Sequence, residues 1–262
     1  MANWFVVIVY VVITALSGII GSITGVGGVL TKIGMDLVGV NSAVVISFYS
    51  SVSVLVMAII SVIKHWRAGF HFKPKLLISI AAGSIIGGYI GQQILANIYK
   101  LFPDRIVKMS QSGILFVILV IIFIYSLIKD KIKNWNIQSW LLAAIIGFAL
   151  GSVAVFLGIG GGILNLAVLL VLFGLSNKDA AVYSLGIAFF STLSKFMNIA
   201  ITHTVIHFNL TVLVAVIITV IITAYIGTAL KMRMKNSGVG RLYSFVLLIM
   251  IIMTGFNFVR MF

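Results

Sequence analysis

Two glycine clusters interrupt long apolar stretches of this chain, and they restrict its fold more than any other feature. The stronger cluster, residues 158–162, lies in an apolar run from about residue 137 to residue 175. The weaker cluster, residues 25–28, lies in the apolar run 4–40. Glycine at this density breaks a helix, because it adds backbone freedom and has no side chain to pack. In hydrocarbon, the peptide groups freed by a break need partners from protein or from a polar cavity.

The composition is that of a polytopic membrane protein. Of 262 residues, 62% are hydrophobic and only 8% are charged, whereas soluble domains carry roughly a quarter charged residues. Basic residues lie at the ends of apolar segments, which fits membrane anchoring and argues against nucleic-acid binding. There is no Cys, so thiol chemistry is excluded. The four acidic residues are all Asp, which is too few carboxylates for a proton relay of the kind that many pumps use. The first twenty residues lack the pattern of a cleaved signal peptide and predict a retained membrane segment.

Ten apolar segments predict an all-α integral membrane protein with eight to ten membrane segments. Most of these segments are bounded by charge and are long enough to span as helices. Two pairs of segments are different, because each pair has a glycine cluster in its middle and limbs that are short for full spans. These pairs are 4–24 with 26–40, and 138–157 with 159–175. We expect each pair to form two short limbs or a re-entrant hairpin.

The two halves of the chain repeat. His71-Phe72 matches His207-Phe208, and Tyr89-Ile90-Gly91 matches Tyr225-Ile226-Gly227, both at an offset of 136 residues. The glycine clusters match at a similar offset. The sequence therefore predicts a first transmembrane repeat at 1–128, a linker at 129–136 and a second transmembrane repeat at 137–262, each repeat comprising a glycine-broken hairpin and three transmembrane helices.

Loop charge favours an inverted arrangement of the two repeats. Loop 64–75 is rich in Lys and Arg, whereas its counterpart 202–208 has neither. Inversion places twelve basic residues, including those of loop 231–241 and the linker, on one side and four on the other, while a parallel repeat gives no bias. The positive-inside rule then predicts a cytoplasmic linker and both termini outside.

The paired glycine breaks, the His-Phe after the third helix and the twofold repeat together resemble the TauE/SafE family of bacterial membrane proteins. The resemblance covers the whole chain and is closer in the second half, since Val29 replaces the third glycine in the first half. Neither half has the proline often found after the glycines. The resemblance implies transport of small sulfur anions such as sulfite or sulfonates, often as export, across the bacterial cytoplasmic membrane.

The substrate site is expected between the two breaks near the bilayer midplane. Helices that restart after the glycines direct free N–H groups and a positive dipole end at the site, which suits an anion. An intramembrane Lys195 attracts an anion or snorkels to the interface, and Lys32 contacts the substrate or pairs with Asp36 at i,i+4. The candidate substrate-binding residues are Gly25, Gly27, Gly28, Lys32, Gly158, Gly160, Gly161, Gly162, Asn165, Ser191 and Lys195.

The function expected from these features is secondary transport of a small oxyanion by alternating access, with one half rocking against the other. An anion channel and a transporter of another organic anion, such as a carboxylate, are the alternatives. An intramembrane enzyme is disfavoured, since no nucleophile with an obvious base is present. No metal or organic cofactor is implied, and the partners expected are the anionic substrate and the lipid bilayer. Substrate, coupling ion and oligomeric state stay open. We also expect Val29→Gly to be tolerated.

Overall fold

The computed structural model describes residues 4–128 and 135–260, and all of its secondary structure is helical. Six of the eight residues of the predicted linker 129–136 lie outside the described residues. The helices are α1 (Trp4–Thr24), α2 (Gly27–Val38), α3 (Ala43–Arg67), α4 (Pro74–Leu101), α5 (Asp104–Ile128), α6 (Trp140–Phe156), α7 (Ile163–Phe173), α8 (Asn177–Ile201), α9 (Leu210–Arg233) and α10 (Asn236–Arg260).

Helix lengths confirm the all-α membrane prediction. Within the described residues, seven helices are long and apolar enough to cross a membrane, namely α1, α3, α4, α5, α8, α9 and α10. The remaining helices α2, α6 and α7 have 12, 17 and 11 residues. At 21 residues α1 is longer than the short limb expected from sequence, because the first break takes up only residues 25 and 26.

The first glycine-broken stretch is a hairpin in which α2 packs antiparallel to α1. Thr31 Oγ1 donates to Ser17 Oγ at 2.8 Å, and a methyl group on Gly34 would lie 2.7 Å from Ile13 Cγ2. Further out, Asn41 donates to the Tyr10 hydroxyl at 2.8 Å. The residue number rises on one limb as it falls on the other, so α2 returns towards the start of α1.

The second stretch also returns on itself. Trp135 N donates to Val171 O at 3.2 Å and Ile137 N donates to Leu172 O at 2.8 Å. These bonds tie the chain that enters α6 to the last turn of α7. Both limbs of the second hairpin therefore end at the same level.

The two hairpins open towards different ends of α3. At the first end, called the Gly39 end, Ala43 N donates to Asp104 Oδ1 at 2.7 Å and Arg260 donates to Leu37 O at 2.8 Å. At the other end, called the Gly174 end, His65 near the end of α3 lines one cavity with Ser176 at the start of α8. This placement favours the inverted arrangement, which itself stays a prediction.

Helix boundaries repeat across the two halves. Helices α3 and α8 both have 25 residues and start 134 positions apart. The side chains of Ser42 and Ser176 cap their N-termini. Gly39 and Gly174 end α2 and α7 in the left-handed conformation, with φ of 71° and 60°, which only glycine adopts without strain.

Glycines bring α4 against α6 and α9 against α1 at backbone distance. A methyl group on Gly91 of α4 would lie 2.6 Å from Ser152 O of α6, and one on Gly151 of α6 would lie 2.5 Å from Ser84 O of α4. The equivalent Gly227 of α9 would place a methyl group 2.5 Å from Ile19 O of α1. Small residues permit such close approach between membrane helices. Each half therefore packs one of its long helices on the hairpin of the other half.

The charge distribution predicts that the Gly174 end faces the cytoplasm. Ala68 is exposed just after α3, and Val205, 76% exposed, lies in the loop before α9. That loop belongs to the Gly39 end, since Asn209 N donates to the Tyr49 hydroxyl at 2.9 Å. We expect an impermeant maleimide added to intact cells to label Val205→Cys and to leave Ala68→Cys unlabelled.

Because the chain has no Cys, each variant carries a single labelling position. Ser237→Cys, in an exposed position at the start of α10, serves as a second internal control and should behave as Ala68→Cys does. Labelling of both Ala68→Cys and Val205→Cys from outside would contradict the opposite placement of the two loops.

Candidate functional site

The two glycine breaks meet in the interior. A methyl group on Gly162 would lie 2.6 Å from Gly25 O and 3.1 Å from Val26 Cα, and one on Gly28 would overlap Ile159 O. Val26 and Ile159 are fully buried. At this point glycine is needed because backbone of one hairpin touches backbone of the other.

Two serines hold the broken backbone. Ser184 Oγ lies 2.9 Å from Gly162 O and 3.3 Å from Gly25 O, so one hydroxyl serves a carbonyl of each break. Ser50 Oγ donates to Gly28 O at 2.8 Å. Ser184 and Gly162 are 22 residues apart, as are Ser50 and Gly28. The bond between a hairpin and the following long helix is therefore the same in both halves.

The two breaks differ in backbone conformation. In the second break, Gly158, Gly160, Gly161 and Gly162 all have positive φ, from 64° to 101°. In the first break only Gly25 does, with φ of 82°, and Gly27 and Gly28 already belong to α2. Helices α2 and α7 thus both begin where the breaks meet, and their positive dipole ends lie there.

Lys195 is buried beside α3 and does not reach the surface. It is 3% exposed, and its Nζ donates to Ser51 Oγ at 2.8 Å, to Ser47 Oγ at 2.7 Å and to Ser47 O at 3.2 Å. The snorkelling alternative is therefore wrong. Two serines of α3, Ser47 and Ser51, hold this lysine.

Lys32 forms a buried ion pair with Asp36. Lys32 Nζ lies 2.6 Å from Asp36 Oδ2, and both side chains are at most 2% exposed. The other oxygen, Asp36 Oδ1, has no hydrogen-bond partner among the described residues. Asp36 also lines a cavity of about 240 Å³ at the Gly39 end, together with Lys108 and Arg260.

Gly158 connects the second break to both lysines. A methyl group there would lie 2.8 Å from Ser47 Oγ, which holds Lys195, and 3.3 Å from Lys32 Cε. We call Lys32, Asp36, Ser47, Ser51 and Lys195 the lysine cluster. It combines residues of α2, α3 and α8 and lies against the break that precedes α7.

With both of its lysines protonated, the lysine cluster carries one positive charge that no described carboxylate neutralises. Lys32 and Asp36 balance each other, while the contacts of Lys195 are all to neutral oxygen atoms. Among the described residues, the other ion pair joins Lys108 to Asp104. Since an unneutralised charge is costly away from water, the cluster favours an anion.

The sequence model of the sulfite exporter TauE/SafE family matches residues 10–254. The chain belongs to this family. TauE/SafE proteins are membrane transporters of sulfite and organosulfur anions and are not enzymes, so this chain is a multi-pass membrane protein of an anion-transport family. No curated protein and no solved structure matches the chain.

Two predicted site residues of this TauE/SafE protein, Asn165 and Ser191, make their described contacts with groups other than the lysines. Asn165 is buried, with Nδ2 at 3.4 Å from Ser184 O and Oδ1 without a partner among the described residues. A methyl group on Gly161 would lie 2.8 Å from Asn165 Nδ2, so this amide faces the second break. Ser191 donates to Ala188 O of its own helix at 3.2 Å, and its backbone packs on Gly88 of α4.

Sequence reasoning missed Ser184, which joins the breaks, and misjudged Val29. Ser184 carries no motif of its own, and Ser50 takes the equivalent position in the first half. Val29 is fully buried in the core. Val29→Gly would therefore leave a cavity and lower stability, contrary to the expectation that it restores a missing glycine.

Backbone contact between the breaks predicts that Gly162→Ala destabilises the protein more than a matched change elsewhere. Gly69 is the control, because its φ of 85° resembles the 101° of Gly162 but nothing lies within 4 Å of a methyl group there. We expect Gly69→Ala to cost about 1 kcal/mol. Gly162→Ala should cost about 1–3 kcal/mol more, because the methyl group pushes Gly25 away.

Thermal unfolding of the two variants in the same detergent measures the difference. Equal losses for Gly162→Ala and Gly69→Ala would mean that the two breaks do not press on each other as the structure shows.

Proposed function

We propose that this protein is a secondary transporter of small oxyanions and that its substrate is sulfite or a related sulfur-containing anion, moved outward. The observation that carries the proposal is the buried Lys195 beside the second glycine break, whose described contacts are serine oxygens and include no carboxylate. Membership of the TauE/SafE family supports it. Alternating access around the two breaks and the inverted repeat are parts of the same proposal.

The charge of the cluster favours an anion with one negative charge. Such an anion, for example hydrogen sulfite, would bring the net charge of Lys32, Asp36 and Lys195 to zero. A dianion would leave a negative charge in the interior, where it is costly. The breaks add backbone dipoles that point their positive ends at the same place.

Asp36 has a defined role in this proposal. Asp36 Oδ2 lies 2.6 Å from Lys32 Nζ, so an incoming anion has to compete with this carboxylate for the ammonium group. Competition of this kind keeps binding weak enough for release while the lysine stays paired at every stage. The cavity lined by Asp36 lies at the Gly39 end, where the exported anion would leave.

A transporter and a channel give different fluxes in proteoliposomes. For a transporter we expect sulfite uptake that saturates with concentration and that is accelerated by unlabelled sulfite on the opposite side. Flux that rises linearly with sulfite and shows no such acceleration would support the channel instead.

Lys195→Met is expected to weaken sulfite binding by about tenfold or more, because a charge-assisted contact contributes about 1.5–3 kcal/mol. Lys195→Arg should lose less, since the charge remains. Removal of an intramembrane charge relieves about 3 kcal/mol on insertion scales, so the Met variant should still express. Exposed Lys100→Met is the control for the change in net charge. Calorimetric titration of each purified variant with sulfite gives the affinities.

Unchanged affinity in Lys195→Met, together with saturable flux in the parent, would remove Lys195 from the site and leave the transporter proposal standing. Absence of sulfite binding and flux in the parent would contradict the proposed function itself.

Asp36→Asn is expected to change sulfite affinity in the direction opposite to Lys195→Met. The change leaves Lys32 without its carboxylate and raises the positive charge of the cluster by one. We therefore expect tighter sulfite binding and slower turnover, because the competing group that favours release is gone. A KM and kcat measurement in proteoliposomes should show both values falling. A higher KM would contradict competition between Asp36 and the substrate.

A further inference from the structure

A second basic cavity lies at the Gly174 end, away from the lysine cluster. It has a volume of about 520 Å³ and is lined by His65, Lys178, Asp179 and Lys231, among others. These residues come from the ends of α3 and α9 and the start of α8. We call this space the basic vestibule.

Lys231 is the unusual residue of the basic vestibule. It is 0% exposed, and its Nζ has no hydrogen-bond partner in residues 4–128 and 135–260. No ion pair in this part of the chain reaches it either. A buried ammonium group without partners is costly, so an acceptor that carries negative charge would stabilise the protonated form of Lys231.

Asp179 does not supply that acceptor. Its Oδ2 accepts from Ser176 Oγ at 2.8 Å, and its backbone N donates to Ser176 Oγ at 3.1 Å. These bonds hold Asp179 in the first turn of α8, where its charge serves the helix N-terminus. It lines the same vestibule but forms no ion pair with Lys231 in the described part of the chain.

The surroundings of Lys231 provide further donors. The hydrogen bond that Lys178 Nζ makes within the described residues is long, at 3.5 Å to Met232 O. His65 Nδ1 donates to Ser61 O at 2.7 Å, so Nε2 of the neutral ring is an acceptor and adds no donor. Phe70 packs edge-on against His65 and forms an apolar part of the wall. Two ammonium groups, those of Lys178 and Lys231, beside an apolar wall suit a compact group with several acceptor oxygens.

We propose that the basic vestibule binds an oxyanion group on Lys231, assisted by Lys178, as a second site separate from the lysine cluster. A free anion such as sulfite and the phosphate of an anionic lipid share this chemistry. The site does not depend on Lys195, so it stands or falls independently of the proposed transport site.

Two measurements on purified full-length protein test the site and identify the source of the oxyanion. The first titrates sulfite into protein that carries Lys195→Met, so that the lysine cluster no longer contributes, and compares it with Lys195→Met/Lys231→Met. The second counts phosphatidylglycerol molecules retained in native mass spectra of the parent and of Lys231→Met. Exposed Lys235→Met, four residues on, is the control for loss of one positive charge at the same end.

We expect Lys231→Met to weaken oxyanion binding by about tenfold or more in one of the two measurements, and Lys235→Met to leave both unchanged. Loss of sulfite binding identifies a free anion, and loss of a retained lipid identifies a lipid phosphate. The Met variant removes an unpaired buried charge and should fold. Lys178→Met, on the rim of the same vestibule, gives a second and weaker test of the same kind. If Lys231→Met and Lys178→Met match Lys235→Met in both measurements, the proposal is overturned.

Discussion

Peptide carbonyl groups freed by the two glycine breaks must find partners inside the protein, because hydrocarbon supplies none. Ser184 does this for Gly162 and Gly25 together, and Ser50 does it for Gly28. These bonds fix the two hairpins tip to tip. The position of α7 relative to α3 follows from that contact, and with it the approach of Gly158 to Lys32 and Ser47. The lysine cluster therefore depends on satisfied backbone as much as on its own charges.

Because acidic residues are scarce, the buried charged groups of the interior are mostly basic. The chain has four Asp and Glu residues against eighteen Lys and Arg residues. Of the described acids, Asp36 and Asp104 form ion pairs and Asp179 is bonded to Ser176. Lys195 and Lys231 consequently have no acidic partner among the described residues. These two buried lysines, one towards the Gly39 end and one towards the Gly174 end, distinguish this interior from a packed apolar bundle.

The lengths of the apolar segments and the residues that interrupt them were enough to predict an all-α membrane protein and where its helices lie, whereas the inverted repeat stays a prediction. Ser42, Ser176, Gly39 and Gly174 mark boundaries by local chemistry, which a sequence displays directly. The resemblance to TauE/SafE proteins was confirmed by the match over residues 10–254. Sequence could not show that Ser184 lies between the breaks or that Lys231 is buried, because both depend on which helices meet. By composition Lys231 looked like one of several basic residues at a helix end.

Close packing of α4 on α6 and of α9 on α1 has a mechanical consequence. Sliding of one sequence half against the other would force glycine-lined backbones past each other at contact distance, which helix packing resists. Both contacts stay intact if the moving bodies exchange a helix. One body then consists of α1, α2 and α9, and the other consists of α6, α7 and α4. The hinges of such a motion fall in the connections at 68–73 and 202–209, which link α3 to α4 and α8 to α9. The units that swing are then assembled across the repeat boundary, so a half expressed alone would lack the helix that braces its hairpin.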